Sequence, residues 1–189
     1  MNEQIYWYLA RSSGMVAWGL LTLATMWGIF LSTGILQERR RPAWLLSLHR
    51  WLGGLSVIFV AIHLAGLMLD SYVEFSWGDL LIPGTSEWRP VAVAFGVVGF
   101  YLLLAVEGTS LLMKKLPKRL WKQIHMTSFG LFWLVSIHGA LAGADATAGW
   151  YQVASVAMIG SVMLVALYRF LVGHRRSTLR RSVAPAPDL

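Results

Sequence analysis

The stretch WKQIHMTSFGLFWLVSIHGAL, Trp121 to Leu141, is a largely apolar run that carries two histidines, His125 and His138. A helix that crosses a bilayer needs roughly 20 apolar residues, so this run is long enough to span one. Ionisable side chains inside a membrane are rare, face the protein interior and mark function. The run therefore raises two questions: how many such spans the chain has, and what two imidazoles do in one of them.

The composition answers the first. Of 189 residues, 57% are hydrophobic and only 13% are charged, with a mean hydropathy of +0.59. A soluble domain carries about 25% charged residues, so the class is an all-α membrane protein. Ten Trp suit interfacial aromatic belts. The absence of Cys excludes disulfides, thiolate metal sites, cysteine nucleophiles and covalent c-type haem attachment.

Five spans are predicted: Gly14 to Leu36, Leu52 to Leu69, Pro90 to Met113, about Ile124 to Leu141, and Trp150 to Val172. The N-terminus lacks a cleavable signal pattern, so the first span is expected to be an uncleaved anchor. The connections are short except DSYVEFSWGDLLIPGTSEWR, Asp70 to Arg89, which is expected to lie on the membrane surface as a short amphipathic piece. Residues 1–173 form one transmembrane unit, and residues 174–189 a basic tail expected to be disordered.

Charge orients the bundle. Of the 16 Lys and Arg, 14 fall between spans one and two, between three and four, or after the middle of span five. The other two, Arg11 and Arg89, share the opposite side with Glu3, Asp70, Glu74, Asp79, Glu87 and Asp145. The positive-inside rule then puts the N-terminus outside and the C-terminus in the cytoplasm. The net charge of +7 reads as topology plus contact with anionic lipid. Basic residues split among juxtamembrane segments do not make a nucleic-acid surface.

The histidines answer the second question. His49 and His63 flank and enter span two as His125 and His138 do span four, while His174 stands apart in the tail. Spans two and four run in the same direction. Steps of 14 and 13 residues separate the members by about 21 and about 19.5 Å. The two helices thus offer His49 with His125 near the cytoplasmic face and His63 with His138 in the outer half. Paired imidazoles across a gap are what a planar macrocycle with axial ligands to its metal needs, and two haems at two depths would carry electrons through the bilayer. A zinc or copper site would gather three or four ligands together, which two separated pairs do not. A nucleophilic triad lacks a carboxylate at the depth of His63 or His138. One detail resists: at about 100° per residue, 13 residues miss the starting face by about 140°. His125 and His138 need a local distortion, a tilt, or approach from different faces.

Gly53, Gly66 and Gly130 stand near these histidines, where small residues admit a flat ring or a second backbone. Haem propionates need cationic partners. Arg50, Lys122 and the Arg39 to Arg41 run are within reach inside, and Arg11 and Arg89 outside, with Ser12, Ser13 and Trp88 nearby. Glu107 in span three either binds a proton, orients a ligand, or reaches out to Lys114; the last is preferred. Phe129, Phe132 and Trp133 either lie between the haems or, as most aromatics at helical spacing do, serve as packing. Met68, Met113 and Met126 form no depth-matched pairs with the histidines.

The segments HRWLGGLSVIFVAIH and KRLWKQIHMTSFGLFWLVSIH, together with LARSSGMVAWGLLTL and TSEWRP, give the chain a resemblance to a known family. It resembles the ferric reductase-like transmembrane domain shared by NADPH oxidases, ferric reductases and the haem-binding membrane subunit of the bacterial methionine sulfoxide reductase system. The likeness covers roughly residues 8 to 172 and includes the family's 14 and 13 spacing. It implies two haem b groups, one on His49 and His125 and one on His63 and His138. The sulfoxide-reductase subunit is poorer in ligands at the position of His49, so the two-haem members are the nearer likeness. Oxidases and ferric reductases of this kind carry a flavin- and NAD(P)H-binding portion after the last helix, whereas GHRRSTLRRSVAPAPDL has no dinucleotide fingerprint. The expected donor is a separate cytoplasmic flavoprotein reductase or a membrane quinol, and the expected acceptor lies on the outer side. The expected location is the bacterial cytoplasmic membrane, as a multi-pass protein. Two other readings stay open: a haem-containing anchor that docks a redox protein through its basic loops, and a non-redox scaffold.

Overall fold

The computed structural model describes residues 3–33, 43–71 and 73–182, and side chains only as far as residue 172. Seven helices follow one another: α1 (Glu3–Thr33), α2 (Ala43–Leu69), α3 (Trp77–Leu81), α4 (Pro90–Leu111), α5 (Lys118–Met126), α6 (Ser128–Ala142) and α7 (Gly149–Ser182). No strand occurs among the described residues. Five spans are long and apolar enough to cross a membrane, with α5 and α6 together making the fourth. This is the architecture of a multi-pass membrane protein.

The spans run longer than hydropathy predicts, except the third, which ends at Leu111 instead of Met113. The first begins at Glu3 instead of Gly14, because the charge of Arg11 is neutralised by Asp145 and no longer ends the span. The second begins at Ala43, and α7 runs past Val172 to Ser182. Arg39 to Arg41 and the side chain of His174 lie outside what is described.

The packing has a consistent plan. Among the described helices, α1 packs chiefly on α2 and also on α7, and α4 packs chiefly on α6. Helices α2 and α6, which carry three of the paired histidines, scarcely touch each other. Each leans on another helix, and a slot opens between them, lined by Ser56, Val60 and His63 of α2 and by Leu131, Val135 and His138 of α6. Close approach of α1 to α2 depends on Gly66, where an added Cβ would lie 2.8 Å from the Ala10 nitrogen. Trp27 donates its indole N–H to the Leu45 carbonyl (2.8 Å), and Trp18 donates to Ser136 Oγ (3.0 Å), which ties α1 to α2 and to α6. The interior of the bundle is aliphatic, with Leu21, Leu103 and Leu131 buried and Val57, Val60 and Val135 around them. Phe132 is fully buried, edge-on to Trp133, and serves as packing.

The bundle has two ends. One carries the connections between α1 and α2 and between α4 and α5; it is called the basic face below. The other, the loop face, carries α3. Ser76 caps α3 through a reciprocal box: its hydroxyl faces the Asp79 amide, and the Asp79 carboxylate accepts from the Ser76 backbone N–H (2.8 Å). The Ser76 side chain and backbone hold the Asp79 carboxyl below its ordinary value. Tyr101 donates to the Leu81 carbonyl (2.8 Å) and fixes α3 beside α4.

Candidate functional site

Four histidines meet in two pairs, one of them across the slot. The rings of His49 (α2) and His125 (α5) have centroids 5.9 Å apart, with planes at 74°. Those of His63 (α2) and His138 (α6) are 6.4 Å apart, at 80°. The sequence pairs the same residues at the same two depths.

The 13-residue step is resolved by a break in the helix. The Thr127 N–H bonds to the Ile124 carbonyl at 3.0 Å, three residues back, and the Thr127 hydroxyl donates to that same carbonyl at 2.7 Å. A turn closed over three residues advances about 120° per residue instead of about 100°, which recovers part of the 140° shortfall. The remainder needs no single-face solution, since His125 and His138 stand on separate helices, α5 and α6.

At the loop-face pair the tautomer is fixed. His63 Nδ1 lies 2.7 Å from the Ala10 carbonyl, and His138 Nδ1 lies 2.8 Å from the Ala92 carbonyl. A carbonyl only accepts, so each Nδ1 carries the proton and each Nε2 keeps its lone pair. This is the second-sphere arrangement by which metal-binding histidines are oriented. At the basic-face pair, His125 Nδ1 is 3.4 Å from Ser110 Oγ, and the Trp121 ring stacks on His125 with centroids 5.2 Å apart. His49 Nδ1 is buried near the Ala24 backbone but outside hydrogen-bond geometry, and the Trp121 N–H is likewise buried without a partner.

Three of the rings are seated on glycines of neighbouring helices. An added Cβ would stand 2.9 Å from the His63 ring at Gly14, 3.1 Å from the His49 ring at Gly28, and 2.8 Å from the His138 ring at Gly96. Gly14 and Gly28 repeat on α1 the 14-residue spacing of His49 and His63 on α2, a signal present in the sequence and not read there. Of the glycines singled out earlier, Gly53 is approached by the Glu107 carboxylate instead of a flat ring, and Gly130 faces open space.

The loop-face pair opens on a cavity of about 890 Å³, also lined by Gly14, Gly96, Arg11 and Arg89. That volume lies within the range of sites for compact organic cofactors. Both arginines are already engaged. Arg11 forms a two-pronged ion pair with the buried Asp145 and lies over the Trp7 ring, 4.7 Å from its centroid. Arg89 donates to the Leu141 carbonyl and covers Trp88 at 5.0 Å. Arg89 adopts the left-handed backbone conformation (φ 45°) just before Pro90, so these contacts hold a strained residue in place. Arg50 and Lys122 are exposed at the basic face. Glu107 makes no ion pair with Lys114, because α4 ends at Leu111 and the lysine leaves the face on which Glu107 sits. Met113 and Met126 point outward.

Breaking the Arg11–Asp145 pair has a predictable cost. Severing a fully buried pair costs about 3–5 kcal/mol, and the partial exposure of Arg11 brings this to about 1–2 kcal/mol. Asp145→Asn is expected to lower the thermal midpoint of the purified chain, and Arg11→Gln in the same chain to recover part of the loss. Strictly additive losses would show that the two side chains do not interact.

Among the described residues, then, the chain is a helical multi-pass membrane protein in which four histidines face each other in two pairs, the loop-face pair beside an internal cavity. No family model, no curated protein and no solved structure matches the chain.

Proposed function

We propose that the chain is a di-haem b-type membrane cytochrome of the ferric reductase-like kind, which carries electrons across a membrane. The observation that carries this reading is the separation of the two histidine pairs. With metal–nitrogen bonds of about 2.0 Å and about 1.1 Å from nitrogen to ring centre, two imidazoles holding one metal between them would have centroids about 6.2 Å apart. The pairs stand at 5.9 and 6.4 Å. Packed imidazoles with no metal between them need no such gap, nor an internal slot beside it. The donor set fits iron in a macrocycle better than a free ion, since no group of three or more His, Asp or Glu with metal-binding geometry occurs among the described residues.

When bound, haem iron between two imidazoles supplies reversible one-electron transfer and leaves no coordination position open. The residues of the chain do the rest. The Ala10 and Ala92 carbonyls hold His63 and His138 in the ligating tautomer. Gly14, Gly28 and Gly96 let the rings retreat far enough to leave the gap. The aliphatic cluster between the two levels keeps water out of the interior. Arg89 brings positive charge to the lining of the loop-face cavity, where an anionic cofactor edge would meet it, while the charge of Arg11 is balanced there by Asp145. The basic face lies in the cytoplasm by the positive-inside rule, and a reduced flavin or a quinol donates there. The acceptor lies on the other side of a cytoplasmic membrane and takes its electron by outer-sphere transfer.

Purified chain is expected to show a Soret band, two haem b per polypeptide by the pyridine haemochrome method, and no stoichiometric binding of carbon monoxide after reduction. A chain without haem would end this reading. Carbon monoxide binding at full stoichiometry would refute the bis-histidine assignment at one haem or both.

A further inference from the structure

Glu107 is the one carboxyl group in the interior of a membrane-spanning helix among the described residues, and nothing above gives it a role. Its half-buried side chain crosses from α4 to α2 and rests on Gly53, whose added Cβ would stand 2.7 Å from the carboxyl carbon. Gly53 lies one helical turn from His49. Ser110, one turn from Glu107 along α4, is the residue whose hydroxyl meets His125 Nδ1 at 3.4 Å. Glu107 thus touches a residue one turn from His49 and lies one turn from the residue beside His125.

We propose that Glu107 takes up a proton when the haem held by His49 and His125 is reduced, and releases it on oxidation. The inference rests on the haem reading above. One electron, from a reduced flavin or a quinol, passes to the iron; one proton, from water at the basic face, passes to the Glu107 carboxylate; no other bond changes. The driving force is electrostatic. Ferric haem between two neutral imidazoles carries one net positive charge at its centre, which can balance a nearby carboxylate. Reduction removes that charge, and an unbalanced carboxylate in a low-dielectric interior is costly. The helices packed against α4 carry these charged and titratable groups toward the basic face: His49 and Arg50 on α2, and Lys118, Arg119, Lys122 and His125 on α5. On its own helix, Lys114 and Lys115 follow the end. Helices α6 and α3 bring only His138 and Asp79, both toward the loop face. None forms an ion pair with Glu107.

Spectroscopic redox titration of the full chain in lipid nanodiscs, between about pH 5 and 9, tests this. One of the two midpoint potentials is expected to fall with rising pH, by up to about 59 mV per pH unit for one electron. Glu107→Gln should flatten that component and leave the other unchanged, with two haems still bound. An unaltered slope in Glu107→Gln would overturn the inference, as would two pH-independent potentials in the unmodified chain. If Glu107→Gln fails to hold haem, Glu107→Asp decides: a displaced pH profile supports the assignment and an unchanged one overturns it. A chain without any haem would defeat the underlying reading, whereas two haems with flat potentials defeat only this one.

Discussion

His63→Ala is expected to halve the haem content of the purified chain, from two per polypeptide to one. On the di-haem reading a metal between the His63 and His138 rings, 6.4 Å apart, would need both side chains, and an Ala methyl cannot reach across that gap. His138 keeps its bond to the Ala92 carbonyl and its seat on Gly96, so the slot survives with one ligand. The remaining haem would sit at the other level, about 21 Å away along α2, beyond the reach of any local rearrangement. His49→Ala is expected to produce the complementary species. The two variants should therefore differ in spectrum and potential, since they retain different haems. Simultaneous loss of both haems from a chain that still folds would show that the levels are not separate sites.

Gly96→Ala is the second large effect, produced by a single methyl group. Its Cβ would stand 2.8 Å from two atoms of the His138 ring, closer than side-chain carbons approach such atoms. The ring must shift or tilt, and its bond to the Ala92 carbonyl (2.8 Å) resists the shift. The expected result is a weakened or lost ligand at the loop-face haem, seen as new carbon monoxide binding to about one haem per chain or as loss of that haem. Gly108→Ala, on the same helix but facing open space, is the control. It gains helix propensity of at most about 1 kcal/mol and should leave the spectrum untouched. Equal behaviour of the two variants would mean that the glycine seat does not position His138.

The histidine pairing was legible in the sequence because depth along a helix is nearly linear in residue number. Spacing of 14 and 13 residues on two spans of the same direction is enough to match levels. Rotation about the axis is less forgiving. The break at Thr127, where the backbone N–H and the hydroxyl both turn to the Ile124 carbonyl, leaves no mark in hydropathy. The extension of α1 to Glu3 was hidden for a similar reason: Arg11 ends an apolar span unless its partner is known, and Asp145 lies 134 residues away. Glu107 shows the limit of reasoning along one helix. A continued α4 would put Lys114 on its face, but the helix stops at Leu111 and the carboxylate turns to Gly53 on another helix.

The matched spacing of Gly14 with Gly28 and of His49 with His63 makes α1 and α2 a pair of rulers laid in opposite directions. Both carry the same interval of 14 residues, so each seat meets its ring only while the two intervals agree. Adding or deleting one residue between 14 and 28, or between 49 and 63, would turn one seat about 100° away from its ring while the other stayed in place. Compensation would require a matching change in the other helix at the same time. These two segments are therefore expected to tolerate substitution of their lipid-facing residues freely and changes of length hardly at all, so that descendants of such a chain drift in composition while keeping the interval fixed.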